Sequence, residues 1–61
     1  GWAAVVERAL DNLGGNAELQ QIYREIEPRR PTVTRFWKEK VRQTLQRRFE
    51  KANDGTWRKA A

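Results

Sequence analysis

Three turn-forming stretches divide the chain of 61 residues and limit the folds that it can adopt. Gly14-Gly15 is suited to closing a helix, because glycine tolerates the left-handed backbone conformation. Pro28 disfavours helical backbone in the residue before it, and together with Pro31 it makes a rigid connection. Asp54-Gly55 is a strong signal for a tight hairpin turn. These three turn-forming stretches therefore predict helical segments followed by a hairpin.

Apolar residues recur at helical spacing in the first two segments. The first stripe predicts a helix over about residues 2–13. The second predicts a helix over about residues 17–27, with Asn16 as its N-cap or the first turn one residue later. The two stripes consist of Trp2, Val5, Val6, Ala9, Leu10 and Leu13, and of Leu19, Ile22, Tyr23 and Ile26.

The third segment combines an apolar stripe with a polar, mostly basic face. Trp37, Val41 and Leu45 fall on one side of a helix over about residues 34–48, and Thr34 is the favoured cap. After this helix, residues 49–60 have an extended pattern on both sides of the Asp-Gly turn. We predict a β-hairpin there, of the kind called a wing when it follows a third helix.

Charge is distributed unevenly along the chain. Residues 1–27 contain two cations against five acidic residues, a net charge of −3, whereas residues 28–61 contain eleven against three, a net charge of +8. Such an asymmetry suggests a polyanionic partner for the second half. A solvated basic face without a partner is the alternative.

The third helix carries long polar side chains of the types that can reach base edges from the major groove of DNA. Arginine can grip guanine, glutamine matches adenine and glutamate accepts a hydrogen bond from cytosine. We therefore assign base reading to Arg42, Gln43 and Glu39. Phosphate contacts are expected from the cations of the linker, the helix and the wing, although the two linker arginines are equally well explained as solvated loop residues. These cations are Arg29, Arg30, Arg35, Lys38, Lys40, Arg47, Lys51 and Arg58.

Catalysis by this chain is not expected. The absence of cysteine and histidine removes the usual general base, thiol nucleophile and zinc ligands. The nearby acidic residues Glu25 with Glu27, and Glu50 with Asp54, have no accompanying metal or phosphate-binding motif. We expect no cofactor, no metal and no small-molecule substrate. No apolar run approaches the roughly 20 residues that cross a bilayer, so no membrane association is expected.

The order of these motifs resembles a winged helix-turn-helix domain of the forkhead and HARE-type kind. The resemblance spans nearly the whole chain. It rests on Trp37-x3-Val41-Arg42-x2-Leu45-x3-Phe49 and Gly55-x-Trp57, and on Ala9-Leu10-x2-Leu13-Gly14-Gly15 followed by Leu19-x2-Ile22-Tyr23. The resemblance implies that the third helix enters the major groove of double-stranded DNA and that the wing supports it.

The resemblance also carries over to single residues. Arg42 matches an arginine of the forkhead pattern, so a DNA contact is implied for it. Gln43 stands where forkheads place a histidine and Glu39 where they place an asparagine, and the forkhead base preference therefore does not transfer. Similar domains are fused to restriction-type nucleases, methyltransferases and chromatin proteins. A parent protein for nuclease or modification functions is therefore an expectation.

These observations predict one mostly α-helical domain over residues 1–61, a three-helix winged helix-turn-helix with a small β-hairpin. Because the sequence begins with Gly-Trp rather than Met, we expect it to be excised from a larger protein. The expected location is the cytoplasm, in association with a bacterial nucleoid, or the nucleus if the source is eukaryotic. A winged helix that binds protein rather than DNA is the alternative.

Overall fold

The computed structural model describes residues 1–29 and 35–60. They form three α-helices and a small antiparallel sheet, the winged helix-turn-helix layout that the sequence predicts. Helices α1, α2 and α3 span Trp2–Asn12, Leu19–Ile26 and Trp37–Arg48, and strands β1, β2 and β3 span Asn16–Ala17, Phe49–Lys51 and Trp57–Lys59. A short 3₁₀ helix, Glu27–Arg29, follows α2.

Two glycines close α1, as their position in the sequence predicts. Gly14 and Gly15 have φ angles of 93° and 100°, which a residue with a side chain rarely adopts. The Gly15 amide donates a hydrogen bond to the Leu10 carbonyl at 2.8 Å, and the Gly14 amide donates one to the Asp11 carbonyl at 3.2 Å. Together these bonds form the Schellman motif, so the last carbonyls of the helix are satisfied without a side-chain cap.

The start of α2 differs from the prediction. Ala17 belongs to β1, and Glu18 rather than Asn16 is the N-cap of α2. The Glu18 amide donates to the Gln21 side chain at 2.8 Å, one half of a capping box that the Glu18 side chain completes. Asn16 instead donates through its side-chain amide to the Thr56 hydroxyl at 3.4 Å, next to the β1–β3 pairing.

The third helix also begins later than predicted. Phe36 is the N-cap, with φ −97° and ψ 14°, and its carbonyl accepts the Lys40 amide at 3.1 Å. Residues 35 and 36 form a turn rather than helix. Thr34, the predicted cap, lies outside the described residues. The helix thus starts at Trp37, which is also its first buried residue.

The sheet contains one strand more than the predicted hairpin. Strands β2 and β3 are joined by the predicted turn, in which Gly55 has a φ of 88° and the Ala52 amide donates to the Thr56 carbonyl at 2.8 Å. Strand β1 pairs with the other edge of β3, which gives the order β1-β3-β2. The wing is therefore bonded to the segment between α1 and α2.

An apolar core joins the three helices and the sheet. Its buried members are Val6, Ala9, Leu10, Ala17, Ile22, Ile26, Trp37, Val41 and Leu45. Phe49 and Trp57 of the wing pack against this core and are partly buried. Among the described residues no polar or charged side chain is buried. The polar side chains of α3 therefore lie on the surface of the protein.

Candidate nucleic-acid interface

The outer face of α3 is defined by the residues opposite its buried stripe. Trp37, Val41 and Leu45 are buried, and at about 100° per residue the point farthest from them falls between Glu39, Gln43 and Gln46. These three side chains are exposed. We refer to Glu39, Gln43 and Gln46 as the outer row. It is polar rather than basic, and its side chains are long enough to reach the base edges of a duplex.

Cations lie on both flanks of the outer row. By their helical positions, Lys38 and Arg42 stand on one side of it, and Lys40 and Arg47 on the other. All four are exposed. Since Lys38, Lys40 and Arg47 form no ion pair with another residue of ranges 1–29 and 35–60, their charges are available to a phosphate backbone.

Helix α2 holds the first flank in place. The Lys38 ammonium lies 5.4 Å from the centroid of the Tyr23 ring and 5.8 Å from that of the Trp37 ring, within the range of cation–π attraction. Tyr23 also donates its hydroxyl to the Lys38 carbonyl at 3.4 Å and meets Trp37 edge to face. Burial raises the pKa of the Tyr23 hydroxyl, so Tyr23 acts as a neutral donor that ties α2 to α3.

Two of the predicted base-reading residues are bonded to each other. Arg42 donates to Glu39 Oε1 through Nη2 at 2.8 Å and through Nε at 3.3 Å. The hydrogen bond to Glu39 raises the pKa of Arg42 above its ordinary value, so the guanidinium stays charged. Gln43, the third predicted base reader, lies beside this pair in the outer row. The structure thus brings all three residues onto one face of α3.

The N-terminal end of α3 presents an aromatic and a cation. Phe36 is 58% exposed, and the Arg35 guanidinium lies 5.1 Å from the centroid of its ring. Arg35 is exposed and forms no ion pair within the described chain. Arg35 therefore extends the basic surface of α3 beyond the first turn of the helix.

The wing contributes one cation without an ionic partner among the described residues, Lys51. Its ammonium lies 5.8 Å from the centroid of the Trp57 ring. Arg58, the other predicted phosphate contact of the wing, is bonded to Glu50 at 2.8 Å. Lys59 contacts Glu7 at 3.2 Å and Asp11 at 3.1 Å, and hydrogen bonds to Asp11 and Glu7 raise its pKa. Its location makes Lys59 a tie between the wing and α1.

Arg29, the linker arginine that the structure describes, lies beside α1 and α2. Arg29 forms an ion pair with Glu25 at 2.7 Å. It lines a groove of about 90 Å³ between α1 and α2, together with Arg8 and Asn12. A phosphate contact by Arg29 stays a prediction, and it would require exchange of the Glu25 partner for phosphate. Arg30, the other predicted linker contact, lies outside the described residues.

Three further residues lie at or beside this face of α3. Gln46 completes the outer row, and its helical position was sufficient to include it. Tyr23 belongs to the apolar stripe of α2 and is partly buried against the core, and no sequence signal indicates its contacts with Lys38. Arg48 is exposed at the last position of α3.

The described residues were also searched for metal sites and membrane-spanning helices. Within residues 1–29 and 35–60, no cluster of three acidic side chains is arranged to hold a metal ion. No helix in the same ranges is long and apolar enough to cross a membrane.

The comparisons with known proteins add no relative. No protein-family model matches the chain, and neither a curated protein nor a solved structure matches it.

Proposed function

We propose that the chain is a module that binds double-stranded DNA by inserting α3 into the major groove. The observation that carries this proposal is the arrangement of α3, in which a polar outer row is flanked on both sides by cations. Long polar side chains suit the base edges of the groove, and cations on both flanks suit the two phosphate backbones that border it. Lys51 of the wing would add a further phosphate contact.

The resemblance to forkhead and HARE-type domains supports the same proposal, since it assigns DNA contact to the third helix and to Arg42. By this resemblance the module targets a larger nuclease, modification or regulatory protein, and a fused or associated catalytic domain is its partner. It would act in the bacterial cytoplasm at the nucleoid, or in a eukaryotic nucleus. Catalysis would lie in the parent protein.

A matched pair of variants tests the location of the interface. Arg47→Gln removes a cation beside the outer row, and Arg8→Gln removes an exposed cation from α1. Fluorescence anisotropy with a labelled duplex should show binding at low salt that Arg47→Gln weakens about tenfold, as expected for a charged contact worth roughly 1.5 kcal/mol. Arg8→Gln should bind like the parent chain.

A protein-binding winged helix is the second candidate. It is favoured by the exposed Phe36 ring and by the acidic first half of the chain, because aromatic residues are enriched where proteins meet. Absence of duplex binding at low salt, with circular dichroism showing a folded chain, would reject the DNA proposal in favour of this one. An equal loss of affinity in both arginine variants would reject α3 as the interface.

A further inference from the structure

Glu39 is the only carboxylate of α3, and it stands in the outer row of a helix that is otherwise neutral or basic. A negative charge at that position repels phosphate, so it lowers the affinity of the face for any duplex. Glu39 lies in the first turn of α3, where a carboxylate favourably meets the positive end of the helix dipole. This interaction with the helix dipole requires a carboxylate in the first turn, but it does not require that the carboxylate bind Arg42.

The contact with Arg42 has a more specific geometry. Both hydrogen bonds from Arg42 end on Oε1 of Glu39, and they come from Nε and Nη2. Glu39 thus occupies the side of the guanidinium formed by Nε and Nη2. The N–H groups at the tip, on Nη1 and Nη2, remain able to make a second bidentate contact. Oε2 of Glu39 accepts no hydrogen bond from another residue in the described ranges. The pair thus offers a donor fork and an acceptor oxygen side by side.

This combination matches the groups that guanine and cytosine present in the major groove. Guanine offers the acceptors O6 and N7, which suit the tip of an arginine fork, and cytosine offers the N4 amino group, which suits a carboxylate oxygen. We propose that Glu39 and Arg42 act as one unit that reads a guanine and a cytosine, in the same base pair or in two stacked pairs. The inference rests on the proposed DNA-binding function.

The exposure of the pair fits this role. The Arg42 and Glu39 side chains are 45% and 52% exposed, so a duplex can reach both without displacing core residues. Because Oε1 holds the guanidinium before binding, the fork is oriented in advance, which reduces the ordering that binding requires. Glu39 then lowers affinity for every duplex and restores it only where a cytosine amino group meets Oε2. It is a specificity-determining residue that acts partly by repulsion.

Glu39→Gln tests the inference because it should move two measurements in opposite directions. The parent chain and the variant are each used to select duplexes from a randomised library. Dissociation constants are then measured for the selected duplex and for one with its G·C pair replaced by A·T. The parent chain should enrich a G·C pair, and Glu39→Gln should lower the preference for it at least about fivefold, the smaller end of the range for one good base contact. Affinity for unrelated duplexes should rise.

Two further variants separate this role from a general effect of charge. Arg42→Lys keeps the positive charge but lacks the fork, so it should lower the G·C preference, as Glu39→Gln does. Glu50→Gln removes the same charge from a carboxylate that is 42% exposed and bonded to Arg58 at 2.8 Å. It should keep the preference of the parent chain, because Glu50 lies in the wing and not in the outer row.

The outcomes distinguish this inference from the proposed function. Selection of duplexes without a fixed G·C pair, or an unchanged preference in Glu39→Gln, would overturn the inference while DNA binding stands. Equal loss of preference in Glu50→Gln would also overturn it. If the parent chain binds no duplex at low salt, both are overturned. Circular dichroism of each variant confirms that the compared proteins are folded.

Discussion

The salt dependence of duplex binding follows from the ion pairs of the structure. Some predicted phosphate contacts are already neutralised within the chain, as with Arg58 by Glu50 and Arg29 by Glu25. Five predicted contacts have no ionic partner among the described residues, and only these should release counterions when DNA binds. They are Arg35, Lys38, Lys40, Arg47 and Lys51.

The expected magnitude can be worked from these five cations. Each neutralised phosphate contributes about −0.9 to the slope of log affinity against log salt concentration, so five contacts predict a slope near about −4.5. Between about 50 and 200 mM salt, this slope corresponds to a loss of affinity of roughly 500-fold. Lys40→Gln should make the slope shallower by about 0.9, and the loss over the same range should fall to roughly 150-fold.

Fluorescence anisotropy across a salt series measures this slope, with Arg8→Gln as the control for a cation away from α3. A parent slope shallower than about −2 would mean that fewer than three phosphates are neutralised, and would refute the count. The location of the contacts would be refuted if Arg8→Gln changed the slope as much as Lys40→Gln. A slope steeper than about −6 would mean that ion-paired arginines exchange their partners for phosphate.

Two further predictions concern the stability of the fold. Trp37→Ala should lower the free energy of unfolding by about 3–5 kcal/mol, because Trp37 is only 7% exposed, whereas Trp57→Ala should cost less because Trp57 is partly buried. Urea denaturation followed by circular dichroism would contradict this order if Trp57→Ala lost as much. At the wing turn, hydrogen bonds from the Thr56 amide and hydroxyl lower the pKa of Asp54, so the ionised carboxylate stabilises the turn. This contribution should be present above the ordinary aspartate pKa and lost as the pH falls through the lowered value. The protection of the Thr56 amide from hydrogen exchange, taken relative to its intrinsic exchange rate at each pH, should fall over the same range, and unchanged protection would contradict the prediction.

The helices and the hairpin could be predicted because their signals are local. The apolar stripe of α1, the two glycines after it and the Asp54-Gly55 turn each depend on neighbours within a few residues. Glu18 and Gln21 also have the spacing of a capping box, with glutamate in place of the usual serine or threonine. The start of α2 could therefore be predicted in part from the sequence. Strand β1 was not, because two residues carry no alternation and Asn16–Ala17 becomes a strand only by pairing with β3.

The candidate site was predictable to a similar extent. Placement of Gln43, Lys38 and Lys40 on the outside of α3 needs only the helical period, and the spacing of Glu39 and Arg42 is one at which side chains meet. The partners of Lys59 and Arg29 depend on how separate elements pack. The tie from Lys59 to α1 and the position of Arg29 in the α1–α2 groove therefore required the structure.

The pairing of β1 with β3 also has a consequence for how the chain folds. Asn16 and Thr56, whose side chains meet beside this pairing, are separated by 40 residues, so a long loop must close before β1 gains a partner. Contacts between distant residues slow folding relative to local helical contacts. We expect the helices to form first and the sheet to close late. During synthesis on a ribosome, the segment around Asn16 would remain without its strand partner until Trp57–Lys59 had left the exit tunnel.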